Sequence, residues 1–206
     1  MGRIGEGRHT AGVVAARPDV RLVPMLTVPN ILTLLRLALV PVVGYLLAVE
    51  SYGWSLGLFL VAALTDFVDG YIARRFGLVS KLGATLDPVA DKLNMLVVTV
   101  LLAWQLLIPI WLALAIVVRD VVIAGGAVAY HVLIGPVKMA PTLLSKINTF
   151  VEFALLLLVM AAAARRIESA AWLTHLFPVV LATVVASGVQ YVWLWGRKAV
   201  RDGRRQ

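Results

Sequence analysis

The sequence predicts an all-α integral membrane protein of six transmembrane helices, with both termini cytoplasmic and a polar cavity in the cytoplasmic half of the bundle. Three observations lead there. First, 61% of the 206 residues are hydrophobic and the mean hydropathy is +0.93. A soluble domain of this length has too much surface for its volume to bury so much apolar area, so lipid must solvate much of it. Second, the long apolar stretches run close to the ~20 residues that a helix needs to cross the hydrocarbon core. Third, the basic residues collect on one side of an even-numbered topology.

The elements follow in chain order. Residues 1–24 are polar, Gly-rich and basic and lack the apolar segment of a signal peptide, which predicts a cytosolic arm. An amphipathic piece around 18–27 lies on the surface before the first span. The apolar pattern predicts helices near 30–49, 54–76, 86–104, 108–133, 143–163 and 172–195. Residues 25–197 form the membrane domain, and 198–206 a basic cytosolic tail. Fourteen Lys and Arg fall in the arm, the 2–3 and 4–5 connections and the tail, whereas only Arg165 and Arg166 fall on the other side. By the positive-inside rule the first group is cytoplasmic. The formal charge of +8 therefore implies contact of the tail with anionic headgroups rather than nucleic acid. There is no cysteine, which excludes disulfides, thiolate metal sites and a cysteine nucleophile.

Depth separates the polar residues further. Asp66 lies roughly 18 Å down the second span, past the midplane toward the cytosol. Asp87 and Asp91 stand in the first turns of the third span. Arg119 and Asp120 reach a similar depth on the fourth, Lys146, Asn148 and Glu152 on the fifth, and Asn30, Thr33 and Arg36 on the first. The outer halves are nearly all Leu, Val and Ala. Charges at such depth cost several kcal/mol each on insertion scales, roughly 3 apiece, and must face one another or water. One cavity open to the cytosol accommodates all of them, with simple pairing of Arg119 and Asp120 to residues of the second span as the blander reading.

The segment "TDFVDGYIARRFGLVSKLGATLDPVADK" (65–92) carries four aspartates. Asp66 and Asp69 are spaced i, i+3 and Asp87 and Asp91 i, i+4, so each pair shares a helix face, and two antiparallel neighbours would point all four at a common space. Four carboxylates so close repel strongly. Protonation relieves this, and so do hard divalent cations, Mg²⁺, Mn²⁺ or Ca²⁺, which suit an all-oxygen donor set. Two ions so held stabilise phosphoryl displacement. Gly70 and Ala73 keep that face small, Gly83 would relax the turn into the third span, and Arg74 and Arg75 offer planar contacts to phosphate oxygens. Pro88 fits a helix first turn with Asp87 at its N-cap, or a kink.

The pattern Asp66-x2-Asp69-Gly70-x2-Ala73-Arg74-x8-Gly83-x3-Asp87-x3-Asp91 resembles in full the signature of the CDP-alcohol phosphatidyltransferases, and the resemblance runs from about Thr27 to Arg197. It implies a six-helix membrane fold, commonly a homodimer, that moves a phosphatidyl group from CDP-diacylglycerol to an alcohol and releases CMP. It further implies two divalent cations, Mg²⁺ or Mn²⁺, on Asp66, Asp69, Asp87 and Asp91, with Asp91 as general base. Asn30, Gly70, Ala73, Arg74 and Gly83 would bind the donor. "VRDVVIAGGAVAY" (118–130) and "APTLLSKINTFVEF" (140–153) look like the cardiolipin synthases of this family, implying phosphatidylglycerol as acceptor. Glycerol 3-phosphate is the alternative acceptor, as in the phosphatidylglycerophosphate synthases. In either case Arg119 and Lys146 would serve the acceptor phosphate. The lack of a clear transit peptide and the compact arm suggest a bacterial cytoplasmic membrane.

The remaining features have plainer readings. His9, His131 and His175 are interfacial side chains or part of the arm rather than ligands. Trp104, Trp111, Trp172, Trp193 and Trp195 are interfacial anchors, and Gly53-x3-Gly57 is a weak signal for close helix packing. Glu152 pairs with an arginine or lines the acceptor path. A cation transporter using the aspartates as an ion path is the reading from another class, and the apolar outer halves leave it no exit.

Overall fold

The computed structural model describes residues 28–76, 81–133, 142–165 and 171–203. Among these it has six helices and no strand: α1 (Val28–Ala48), α2 (Tyr52–Phe76), α3 (Lys81–Trp104), α4 (Ile110–Leu133), α5 (Leu143–Ala164) and α6 (Ala171–Gly203). The arm and the segment around 18–27 lie outside the described residues. Five of the six predicted starts agree within two residues. The exception is α3, which begins at Lys81 rather than 86. Gly83 therefore lies inside the helix and not in the turn before it, and Asp87 is an interior residue and not an N-cap. Pro88 forfeits its own backbone donor and crowds the carbonyl one turn earlier, yet α3 runs through it from Lys81. At the other end α6 continues to Gly203, because the Arg, Lys and Ala of the basic tail are good helix formers.

Ile110–Tyr130, Leu143–Ala164 and Ala171–Lys198 are long and apolar enough to cross a membrane, and Thr33–Ala48 and Tyr52–Thr65 are shorter apolar helices. Their outward faces carry exposed Leu64, Leu114, Val128 and Val189 among many others. Such a continuous apolar exterior is a liability in water and the natural surface in lipid. This is a membrane protein.

The odd-numbered helices begin at one end of the bundle, the near end, and the even-numbered ones finish there. α1 packs on α2 and α3, α4 on α6, and α5 on α6 and α2. The far half holds the apolar core, with Val43, Leu47, Phe59, Val98, Leu102, Leu112, Leu155 and Val159 buried. The buried charged residues Arg36, Arg119 and Glu152 lie from the near end to mid-helix with Thr33, Asn94, Ser145, Asn148 and Ser187, and only the small hydroxyls of Ser55 and Thr99 are buried polar groups of the far half among the described residues. That separation is the one the sequence predicts.

Two turns close the far end with the same backbone device. After α1, Ser51 N–H donates to Leu46 O at 2.8 Å and Glu50 N–H to Leu47 O at 2.9 Å. After α3, Leu107 N–H donates to Leu102 O at 2.9 Å and Leu106 N–H to Ala103 O at 3.0 Å. Both are Schellman caps, which satisfy carbonyls that a helix end otherwise strands. They require a left-handed residue, here Glu50 (φ 58°) and Leu106 (φ 59°). Gln105 Nε2 then donates to Leu47 O at 2.6 Å and joins the two turns. Lower down, α1 crosses close to α3 at Gly44, where an added Cβ would stand 3.1 Å from Val97 Cγ1. Gly53 and Gly57, by contrast, have nothing within 4 Å of an added Cβ, so their motif packs no helix of this chain.

Two outcomes follow from these contacts. Gly44→Leu should destabilise the bundle by about 1–3 kcal/mol through overpacking, seen as a lower unfolding midpoint in detergent. Leu106→Gly should stabilise it by about 1 kcal/mol, since the side chain is exposed and glycine adopts the left-handed conformation freely.

Candidate active site

The four aspartates stand on two adjoining helices. Asp66 and Asp69 belong to α2, Asp87 and Asp91 to α3, and α2 and α3 touch. The i, i+3 and i, i+4 spacings are therefore real helical spacings. The side chains of Asp66, Asp69 and Asp87 lie outside the described residues, as do those of Asn30, Ala73 and Arg74 and the surroundings of Gly70 and Gly83. Asp91 is described: it is exposed and lines a cavity of about 600 Å³ enclosed by α2, α3 and α5.

The cavity has two characters. Asp91 and Asn94 of α3 face Ser145, Lys146 and Thr149 of α5 at its polar end. Phe59 and Ala63 of α2, Met95 of α3 and Phe150 and Phe153 of α5 line the rest. Phe59 and Phe153 stack with ring centroids 5.1 Å apart, and Phe150 is 71% exposed on the outer surface. The space thus joins a carboxylate and an ammonium to an aromatic wall that reaches the lipid-facing exterior.

Behind the polar end lies a network across four helices. Lys92 Nζ of α3 reaches both oxygens of Asp120 on α4, at 2.8 and 2.7 Å. Asp120 also accepts from Arg119 Nη1 at 2.8 Å. The other terminal nitrogen of Arg119 donates to Ser145 Oγ of α5 at 2.7 Å and to Ser187 Oγ of α6 at 2.8 Å. Burial demands this: Arg119 is only 5% exposed, and a charge so enclosed is stable only when paired and hydrogen-bonded. Glu152, fully buried one helical turn beyond Asn148, lies in the electrostatic field of Lys92, Asp120 and Arg119. Two cations and two acids are thereby gathered in one neighbourhood. Asn148 in turn accepts from the Thr183 hydroxyl of α6 at 3.0 Å, and Thr142 caps α5 by accepting from Ser145 N–H at 3.2 Å.

These contacts locate the partners of the α4 pair. Among the described residues, Asp120 pairs with Lys92 of α3, and Arg119 with Asp120 and the serines of α5 and α6. Antiparallel α3 and α4 bring positions 92 and 120 to the same level, which their sequence separation conceals. Lys146 and Asp91 line the same cavity, whereas Arg119 bonds to Ser145 and is absent from that lining. Lys92, Ser187, Thr149 and the three phenylalanines were not singled out by sequence. Lys92 alone carried a signal, being a cation inside an apolar helix that must find an anion. Trp195, expected as an anchor, packs on Tyr130 at 5.2 Å and over Gly126, while Trp104, Trp111, Trp172 and Trp193 are exposed as anchors should be.

The family model described as CDP-alcohol phosphatidyltransferase matches residues 26–189. The chain belongs to this family. Among curated relatives, it is 35% identical over 191 residues to the human cardiolipin synthase (CMP-forming), covering 85% of this chain and 63% of that protein. It is 38% identical over 146 residues to a probable cardiolipin synthase (CMP-forming) of Drosophila melanogaster, covering 63% and 45%. With the cardiolipin synthase (CMP-forming) of Streptomyces coelicolor it shares 39% identity over 102 residues, 47% of each. The chain spans under two thirds of the length of these relatives. Within the family frame, the whole cavity wall from Phe59 to Phe153 falls inside the matched region.

Thr183→Val removes the donor to a fully buried Asn148 and should cost about 1–3 kcal/mol. Thermal unfolding in detergent reads it directly, and Thr174→Val, at an exposed site, serves as the near-neutral control.

Proposed function

We propose that this protein is a cardiolipin-forming phosphatidyltransferase, which transfers the phosphatidyl group of CDP-diacylglycerol to phosphatidylglycerol and releases CMP. The observation that carries the acceptor choice is the double character of the cavity. A lipid acceptor has a polar glycerol and phosphate joined to acyl chains, and the cavity has Asp91 and Lys146 joined to an aromatic wall that opens on the exterior. Glycerol 3-phosphate would use only the polar end. The names of the relatives from human, fly and Streptomyces support the same reading.

The chemistry follows from the residues. The acceptor hydroxyl oxygen attacks the donor's phosphatidyl phosphorus, forming a new P–O bond, and the bond from that phosphorus to the CMP oxygen breaks. Asp91 takes the proton of the attacking hydroxyl. Lys146 holds the acceptor phosphate as a mobile point charge, and Arg119 adds positive potential from behind Ser145. Asn30, Gly70, Ala73, Arg74 and Gly83 bind the donor, with small residues where the nucleotide approaches the backbone. Asp66, Asp69, Asp87 and Asp91 form an all-carboxylate set on adjoining helices, which fits two Mg²⁺ or Mn²⁺ ions by donor chemistry. Such ions, when bound, would neutralise the pyrophosphate and make CMP a good leaving group. In this reading all six helices span a bacterial cytoplasmic membrane, both termini and the near end face the cytosol, residues 1–24 and 198–206 flank the membrane domain, and the protein is a homodimer among anionic lipids.

The test is CMP release by purified protein given CDP-diacylglycerol with Mg²⁺ or Mn²⁺ and either acceptor. Cardiolipin should form with phosphatidylglycerol; release with glycerol 3-phosphate alone would overturn the acceptor assignment. Asp91→Asn should lower turnover by at least about 10²-fold with nucleotide binding retained, as expected for loss of a general base. Lys146→Ala should raise the acceptor KM more than the donor KM. Chelation with EDTA should stop turnover, and returning Mg²⁺ or Mn²⁺ should restore it.

A further inference from the structure

Asp91 and Lys146 line the same cavity, and the chain neighbour of each is tied to one of two consecutive residues of α4. Lys92, next to Asp91, holds Asp120 at 2.7 and 2.8 Å. Ser145, next to Lys146, accepts from Arg119 at 2.7 Å. Arg119 and Asp120 are consecutive and bonded to each other at 2.8 Å, and Ser187 of α6 holds the Arg119 fork from the far side at 2.8 Å. Successive side chains on a helix diverge by about 100°. A tether on the neighbour therefore fixes a helix's rotation about its own axis while leaving the cavity side chain clear.

A buried ion pair is weak grounds for stability as such, since well-packed apolar residues often hold helices together as well or better. What the planar Arg119 guanidinium provides is direction, which apolar packing does not, and Lys92 adds an ionic tether between α3 and α4. We propose that Arg119 and Asp120 are positioning residues: by holding Lys92 and Ser145 they set the rotations of α3 and α5, and so the relative placement of Asp91 and Lys146 across the cavity, without contacting substrate themselves. The kinetic half of this inference rests on the reading of Asp91 as the base; the geometric half does not.

The test uses the absence of native cysteine. In the full-length chain in lipid nanodiscs, Asp91→Cys with Lys146→Cys provides the only two thiols, and bifunctional methanethiosulfonates of graded length report their separation and orientation. Adding Asp120→Asn, or separately Ser145→Ala, should change the preferred reagent length and cut the yield of the best reagent several-fold, with the unfolding midpoint kept close to that of the parent. If Asp120→Asn fails to fold, Ser145→Ala, which deletes a single hydrogen bond, carries the measurement. In the chain with Asp91 and Lys146 intact, Lys92→Met and Asp120→Asn, neither at a cavity-lining position, should lower kcat for CMP release about 10-fold or more, as misplacement of reacting groups does. The donor KM should stay within about twofold, and the pair Lys92→Met/Asp120→Leu should recover stability without recovering kcat. Unchanged cross-linking in folded variants, or kcat that returns together with stability, would overturn the proposal. Cross-linking needs no substrate, so a wrong acceptor assignment leaves this test intact.

Discussion

The cost of an unneutralised charge in a low-dielectric slab governs this bundle more than any other constraint. Hydrophobic attraction between helices is weak where lipid tails are as apolar as leucine, so packing alone does not select one arrangement of six oily cylinders. The polar residues do. With Arg119 buried and Asp120 half-buried, every arrangement that leaves them unpaired is heavily penalised. The arrangement that satisfies them brings Lys92, Ser145 and Ser187 to one point. Four of the six helices are located by that requirement, and the cavity is the space left on the other side of α3 and α5.

The same constraint explains the division along the bundle axis. Carboxylates and cations can be tolerated only where they share a solvent-accessible space or satisfy one another, so they gather from the near end to mid-helix. The far half is then free to be built for packing, with a tight α1–α3 crossing at Gly44 and a core of Leu, Val and Phe. Phe59 and Phe153 lie where the two regimes meet, stacked at the boundary between the polar end of the cavity and the apolar interior.

Most of this organisation was legible in the sequence because hydropathy and helical period are local signals. The six helices, their near-correct limits and the polar half could be read from runs of residues. What escaped was set by tertiary proximity or by backbone detail. The Lys92–Asp120 bridge depends on which helices are neighbours and on their register, neither of which periodicity encodes. The early start of α3 was hidden by Pro88, a residue that reads as a boundary because it lacks a backbone donor and crowds the preceding turn. The role of Ser145 and Ser187 was invisible because serine is unremarkable in a membrane helix until an arginine is found against it. The apolar half of the cavity was missed for the opposite reason: phenylalanines in a membrane span look like lipid-facing filler, and only the enclosure formed with α2 and α3 distinguishes them.

The two turns at the far end, fastened to each other through Gln105, make the bundle resemble a pair of tongs riveted at one tip. The bond couples the turn after α1 to the turn after α3, so a displacement of either is passed to the other.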